Sequence, residues 1–243
     1  MATRRTSAAA AAVPSAPARS AASAPKPAAA KPAAKAASAA SGAQAGAQAG
    51  EAFRGTSKRE RILRAAVDVF ARNGYFNAKV SEIAKAAGVA DGTIYLYFDG
   101  KEDLLITIFR EHTRHYLQSL ERELVNIRRA DDRIRVAIRH HLETLGRDRA
   151  LAVVAQVELR HSLKFMSLLS QQEVADYLNM IRKIVEQGQH DGVFRRNLHP
   201  QLVAKSVFGI LDEMVTSWIL SEKEHSLAEQ AEGIADLILN GLL

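Results

Sequence analysis

The chain has 243 residues, 47% of them hydrophobic, with no cysteine and a formal net charge of +6. That length supports a substantial core in one or two domains. The missing cysteines exclude disulfides and thiolate metal sites and fit a reducing cytoplasm, and no apolar run reaches the roughly 18 residues of a membrane-spanning helix. The charge is unevenly placed. Residues 1–56 hold seven Lys/Arg and one acid, Glu51, which accounts for the whole excess; residues 57–101 are net positive by three and residues 102–243 net negative by three. A small basic block joined to a larger, mildly acidic one suggests two tasks.

Residues 1–54 are dominated by Ala, Pro, Ser and Lys, as in "SAPKPAAAKPAAKAASAASGAQAGAQAG". Prolines and glycines interrupt the helix-favouring alanines, and little here can bury a core, so the composition predicts a disordered, solvated tail. Ala8–Val13 is too short and too weakly apolar for a signal peptide, although the composition also suits an organellar transit peptide. Weak electrostatic help on nucleic acid is the tail's functional alternative.

From Ser57 the pattern predicts an all-α chain of about nine helices. Apolar residues at Ile62, Leu63, Ala66, Val69 and Phe70 mark one face of a helix over 57–73, which Asn73-Gly74 closes. Val80, Ile83, Ala84 and Ala87 give a short second helix that Gly88 stops. A third spans 92–98. A fourth starts near Lys101, with Asp99 or Gly100 as its cap, and further helices are predicted over 131–146, 149–169, 172–189, 200–221 and 226–242. Three domains are expected: the tail (1–54), a helix-turn-helix unit (55–101) and a ligand-binding and dimerisation unit (102–243).

Two short helices around a glycine turn, behind a longer supporting helix, form a helix-turn-helix. At about 100° per residue, Ile94 and Phe98 share the inward side of the third helix. Leu96 points nearly opposite, Thr93 and Tyr95 flank it, and Tyr97 lies at the boundary. Hydroxyls of this kind bond phosphates or base edges, and a leucine touches a thymine methyl. Gly92 allows close approach to a phosphate, and Lys101 is placed for another. Lys58, Arg59, Arg61, Arg64, Lys79 and Lys85 add a sequence-independent positive field. Ser81 is expected on the same surface.

The stretch "ILRAAVDVFARNGYFNAKVSEIAKAAGVADGTIYLYFDGKEDLL" resembles the DNA-binding domain of TetR-type transcriptional repressors, without a gap over 57–105. The resemblance implies phosphate and base contacts from Ala90, Gly92, Thr93, Tyr95, Leu96 and Lys101. The chain departs from the family's pattern at two places. Ala78 stands where a Ser or Thr usually caps the second helix, a loss of roughly 1 kcal/mol that Ser81 or Asn77 could partly replace. Leu96 occupies a position where an aromatic or polar residue is common, which bears on the operator sequence.

Repressors of this type read half-sites in pairs, so a homodimer on double-stranded operator DNA is expected. "LVAKSVFGILDEMVTSWIL" is apolar on more than one face and, with the last helix, is expected to build a four-helix bundle between subunits; Met214, Trp218 and Leu237 are its predicted contacts. "AVVAQVELRHS" and "VFGILDEMVTSWIL" further resemble the FadR-type repressors of fatty-acid degradation, which long-chain fatty acyl-CoA releases. No cofactor is expected beyond that hydrophobic effector. The resemblance implies a ligand-facing set of Gln156, Glu158, Arg160, Phe208 and Glu213, with structural hydrogen bonding as the alternative for each polar member. The arginine-rich stretch 128–149, Arg135 and Arg139 included, is a candidate mouth for the coenzyme's phosphates. Its alternative is a solvated face paired with Asp131, Asp132, Glu143 and Asp148. His199-Pro200 departs from the usual acid before proline and concerns a helix cap.

Other classes are weighed against this. An efflux regulator with a drug-like ligand calls for an acidic, aromatic-rich pocket, and the single tryptophan argues mildly for an aliphatic guest. An architectural nucleoid protein would depend on the tail. An enzyme is not indicated: His112 and His115, with Glu111 beside them, could suggest a metal site but no further ligand is identifiable, the adjacent His140 and His141 point about 100° apart, and neither a nucleophile–base pair nor a phosphate-binding glycine loop occurs.

Overall fold

The computed structural model describes residues 57–157, 172–222 and 225–242. Among these residues there are nine α-helices and no strand. Helix α1 (Lys58–Asn73) begins with a capping box. Ser57 Oγ accepts from the Glu60 amide at 3.2 Å, and the Glu60 carboxylate accepts from the Ser57 amide at 2.8 Å, so two otherwise orphaned donors are satisfied together. Helix α2 (Val80–Ala87) ends at Gly88, whose φ of 66° is the left-handed conformation that closes the helix-turn-helix turn.

Helix α3 (Asp91–Ile94) is shorter than the predicted 92–98, because its continuation tightens: the Leu96 and Tyr97 amides donate to the Thr93 and Ile94 carbonyls, three residues back. Ile94 and Phe98 are buried as predicted, each worth about 1.5–3 kcal/mol of burial. With Ile62, Phe70, Ile83, Leu104, Leu105 and Ile108 they form the first of two cores.

Helix α4 (Lys101–Leu124) leaves that core after Phe109 and contributes Tyr116, Leu120 and Leu124 to the second. The packing boundary therefore lies inside α4, beyond residue 101. Helices α5 (Ala130–Gly146), α6 (Arg149–Gln156), α7 (Glu173–His190), α8 (Pro200–Leu220) and α9 (Ala231–Leu242), the last preceded by a 3₁₀ turn at Leu227–Gln230, complete the second core. It centres on Leu120, Ile134, Ile138, Leu142, Ile181 and Leu211. At the start of α8, His199 Nδ1 accepts from the Gln201 amide at 3.3 Å, and Pro200 takes the first helical position, where no amide is needed.

One side of the wide apolar surface of α8 packs on the subunit's own core, and Leu202 and Leu220 remain exposed. Val207, Leu211, Val215, Trp218 and Ile219 are consumed by the subunit's own core. Trp218 is 7% exposed, its indole N–H donates to the His225 carbonyl at 2.9 Å, and the Arg149 guanidinium lies 5.0 Å from its ring centroid. It is therefore a core residue, not a free contact for a second subunit. Met214 is half-buried against the same core. Leu237 alone of the predicted set stands out, at 68% exposure, near which only polar or small neighbours of α9 are exposed.

Candidate functional site

The candidate DNA-facing surface is built by α3 and the turn after it. With Ile94 and Phe98 anchored behind, Tyr95, Leu96 and Tyr97 are presented at 59%, 80% and 43% exposure. Ala90 and Gly92 are exposed and Thr93 is half-buried. Lys58, Lys79, Ser81 and Lys85 are also exposed.

Other basic residues are committed elsewhere. Lys101 turns inward: its ammonium donates to the Phe76 and Ala78 carbonyls, both at 3.1 Å, and lies 4.7 Å from the Tyr75 ring. Two charge-assisted bonds, each worth about 1.5–3 kcal/mol, make it a brace for the loop before α2. The cap that Ala78 lacks is supplied differently from the prediction. The Glu82 carboxylate accepts from the Lys79 amide at 3.2 Å, while Asn77 bonds the Asn73 carbonyl. Arg59 pairs with Glu111 at 2.7 Å and lies 5.4 Å from the Phe98 ring, and Arg64 pairs with Asp68 and Asp148.

Helix α6 is the element that sequence reasoning undervalued. Ala150, Leu151 and Val154 pack into the DNA-binding core, whereas Ala152, Val153 and Val157 pack into the second core. Asp148 caps it, accepting from the Leu151 amide at 3.0 Å through one oxygen and from Arg64 on α1 through the other. The apolar pattern of residues 150–154 marked a buried helix, but periodicity does not say that two different cores claim its two sides.

The second core contains an unexpected polar interior. Tyr116 lies with its ring centroid 5.0 Å from His140, 5.7 Å from His141 and 5.8 Å from Tyr177; Tyr177 in turn lies 5.7 Å from Phe208. Helices α4, α5, α7 and α8 each supply a ring. His140 is held at both nitrogens, by Glu123 at 2.8 Å and Ser119 at 2.9 Å. His141 has only a long contact, 3.4 Å, to the Tyr116 hydroxyl, and its Nε2 is buried without a partner. Burial, reinforced by His112 and His140, pushes His141 down to about 3. Burial likewise takes His112 to about 4, with Asp148 pulling it partly back. The Tyr177 hydroxyl, close enough to Tyr116 to perturb it, makes no well-directed hydrogen bond, and Gln156 Oε1 is also buried without one. A buried polar atom left unpaired costs about 1–3 kcal/mol, so these atoms call for a partner such as a bound water or a ligand.

Among the predicted ligand-facing residues, Gln156 is buried and Phe208 belongs to the ring cluster. Glu158 and Arg160 lie outside the described residues. Glu213 is a correction: it is exposed, about 200° around α8 from the buried Leu211. Arg135 and Arg139 lie where the arginine-rich mouth was expected, with acidic partners already in place. They line an open groove of about 530 Å³ with Arg128 and Arg129, but they are tied to α9. Arg135 bonds Glu232 at 2.6 Å and Asp236 at 2.8 Å, and Arg139 bonds Glu232, whose carboxyl Arg139 and Arg135 hold below the ordinary glutamate range. The acids opposite these two are on the last helix, 93–101 residues away in sequence, while the local pairs of the alternative reading form at Arg129 with Asp131 and Asp132 and at Arg147 with Glu143.

A helix-turn-helix on an all-α body with a polar interior has close counterparts. The family model of bacterial regulatory proteins of the tetR family matches residues 62–108, and the C-terminal region of YsiA-like proteins matches residues 109–241. The chain belongs to the TetR family. Its members are DNA-binding transcriptional regulators, as the recognition face indicates. Within the TetR family, the fatty acid metabolism regulator protein of Bacillus subtilis (strain 168) is 36% identical over 185 residues, covering 76% of this chain and 95% of that protein. The fatty acid degradation regulator FadR of Bacillus halodurans superposes with a TM-score of 0.73 at 36% identity, covering 77% of this chain and 97% of that one. The FadR of Bacillus subtilis, solved in complex with stearoyl-CoA, superposes with a TM-score of 0.72 at 35% identity, covering 76% of this chain and 100% of that one. Among the described residues no helix is long and apolar enough to cross a membrane, and no cluster of three or more His, Cys, Asp or Glu could hold a metal ion.

Proposed function

We propose that this TetR-family regulator is a cytoplasmic repressor that binds operator DNA as a homodimer, controls genes of fatty-acid degradation, and is released by long-chain fatty acyl-CoA. The likeness through the C-terminal region to a regulator solved with stearoyl-CoA carries the reading. An acyl chain has ample driving force: at about 0.8 kcal/mol per buried methylene, twelve carbons supply roughly 9 kcal/mol before entropy costs. Only about 1–3 kcal/mol of preference for one conformation is needed to couple ligand to DNA.

The route of that coupling is α6 together with α4. A guest beside Tyr116, His141 and Tyr177 displaces helices that share the second core with Ala152 and Val153. Because Val154 and the Asp148–Arg64 pair belong to the DNA-binding side, α1 and the helix-turn-helix behind it move with α6. The two recognition helices of the dimer then lose the spacing of about 34–36 Å that successive major grooves demand. Leu237, with Leu202 and Leu220 on α8, supplies exposed apolar surface for the subunit contact.

One observation favours a second reading, an aromatic drug-like effector with efflux genes as targets: the ring cluster of Tyr116, His140, His141, Tyr177 and Phe208. Native mass spectrometry of the protein purified from its own cells separates the two. A dimer mass carrying acyl-CoA adducts supports the first; a monomer, or a dimer that takes up only aromatic compounds on incubation, contradicts it.

A further inference from the structure

The recognition segment from Asp91 to Gly100 contains no lysine or arginine. The next base in the chain, Lys101, is turned inward on two carbonyls. The surface that enters the groove therefore carries one charge at its base-contacting end, and it is negative. Asp91 is the first residue of α3, exposed, and without an ion pair or side-chain hydrogen bond among the described residues. In a helix-turn-helix the N-terminal residues of the recognition helix meet base edges. A carboxylate there is favoured by the helix N-terminus but repelled by phosphates at every sequence, so a donor in the groove decides which sequences it accepts.

The compensation is limited by chemistry. An ionised carboxylate accepts and cannot donate. The major groove offers two kinds of donor, the amino groups of cytosine and adenine, while guanine presents only acceptors. Adenine's amino group sits beside its own acceptor, N7, which repels a carboxylate; cytosine has a C–H in the corresponding place. Cytosine is therefore the better partner. Leu96 makes a complementary demand. At 80% it is the most exposed large apolar side chain among the described residues, on the side opposite the Ile94 anchor, and the thymine C5-methyl is the apolar group that a major groove presents.

We propose that Asp91 and Leu96 set the operator preference of this regulator, Asp91 by accepting from a cytosine amino group and Leu96 by packing on a thymine methyl. Five residues separate them. At a rise of about 1.5–2 Å per residue their backbones are roughly 7–10 Å apart, which places the two bases about two to three base pairs from each other at 3.4 Å per step. Tyr95, Tyr97 and Thr93 then fix position through their hydroxyls, and the exposed Lys58, Lys79 and Lys85 supply attraction without sequence preference.

Selecting bound duplexes from a random pool with the full chain tests the proposal. The wild type should enrich a cytosine and a thymine at that separation. Asp91→Asn should move the cytosine preference to adenine, whose amino group and N7 an amide satisfies together, with about a tenfold or greater change in the ratio of affinities. Replacing the selected thymine by deoxyuridine, which lacks only the methyl, should weaken the wild type about fourfold and leave Leu96→Ala unaffected. Both side chains are exposed, so unchanged melting curves exclude misfolding as the cause. The proposal is overturned if Asp91→Asn raises affinity equally for all sequences without changing the preferred base, or if the deoxyuridine duplex binds the wild type as tightly as its parent. Only DNA is involved, so failure here leaves the acyl-CoA reading standing.

Discussion

Two imidazoles should make this protein acid-labile in a window set by their burial. His141 is held near 3 by burial and by the neighbouring His112 and His140, and His112 near 4 by burial with Asp148 opposing. Tyr116 from α4 and Tyr177 from α7 face His141 with neutral hydroxyls, both kept protonated by burial. In the unfolded chain an imidazole titrates near 6.5. Below that pH the unfolded state takes up protons that the folded interior refuses, so stability is full above about 6.5 and falls as the pH drops towards 4. At pH 5 the deficit is about 1.5 pH units for each group, or roughly 2 kcal/mol apiece at 1.36 kcal/mol per unit. Urea unfolding followed by circular dichroism at pH 8, 7, 6 and 5 measures it. Carboxylates contribute to any acid effect, so the decisive comparison is His141→Gln, which removes one titration. The variant can be less stable throughout, but its loss between pH 8 and pH 5 should be smaller than the wild type's by about 2 kcal/mol. Identical pH dependence in the two proteins would refute the assignment of His141 as a buried neutral base.

Packing and coupling make further expectations. Gly188→Ala would place a Cβ 2.2 Å from Phe194 Cδ2 and 2.9 Å from the Ala130 Cβ. Phe194 is only 2% exposed and has little room to move, so urea unfolding should show a loss of about 3 kcal/mol or more; a neutral effect would contradict the packing of α7 on α5. Asp148→Ala removes both the cap of α6 and the Arg64 pair, and should cost about 1–2 kcal/mol. Arg64→Ala removes the half-exposed pairs with Asp148 and Asp68 but leaves the cap, and should cost about 1 kcal/mol or less, and the double variant should cost less than the sum. Strict additivity would mean that the pair does not link α1 to α6. Leu237→Asp should leave the melting temperature nearly unchanged while sedimentation shows a monomer and operator affinity falls; a persistent dimer would place the subunit contact elsewhere.

The helix-turn-helix was legible residue by residue because short-range rules govern it. Gly88, the inward pair Ile94 and Phe98 and the outward Leu96 follow from spacing alone. The bracing role of Lys101 was hidden because its partners are the carbonyls of Phe76 and Ala78, more than twenty residues back, and a lysine's reach across a fold has no local signature. The burial of Trp218 was hidden in the same way. Its apolar face looked free until the chain from Arg149 and His225 closed over it. The interior shows the limit most clearly. Few aromatics in the composition argued for an aliphatic pocket, yet four helices bring their rings to one place. His140 and His141, read as diverging, are both buried because α5 is covered by α4 on one side and α7 on another. Tertiary convergence of this kind depends on which helices become neighbours, which periodicity does not encode.

The central claim is that a long-chain acyl-CoA and the operator compete for one conformation of this protein. Fluorescence anisotropy of a selected duplex, titrated with oleoyl-CoA against the preformed complex, measures it directly. The account predicts release, with operator affinity lowered at saturation by about 5- to 150-fold, the factor that 1–3 kcal/mol of coupling provides, and little effect from coenzyme A alone. Operator affinity unchanged at saturating oleoyl-CoA, with binding of the acyl-CoA itself verified by calorimetry, would contradict it.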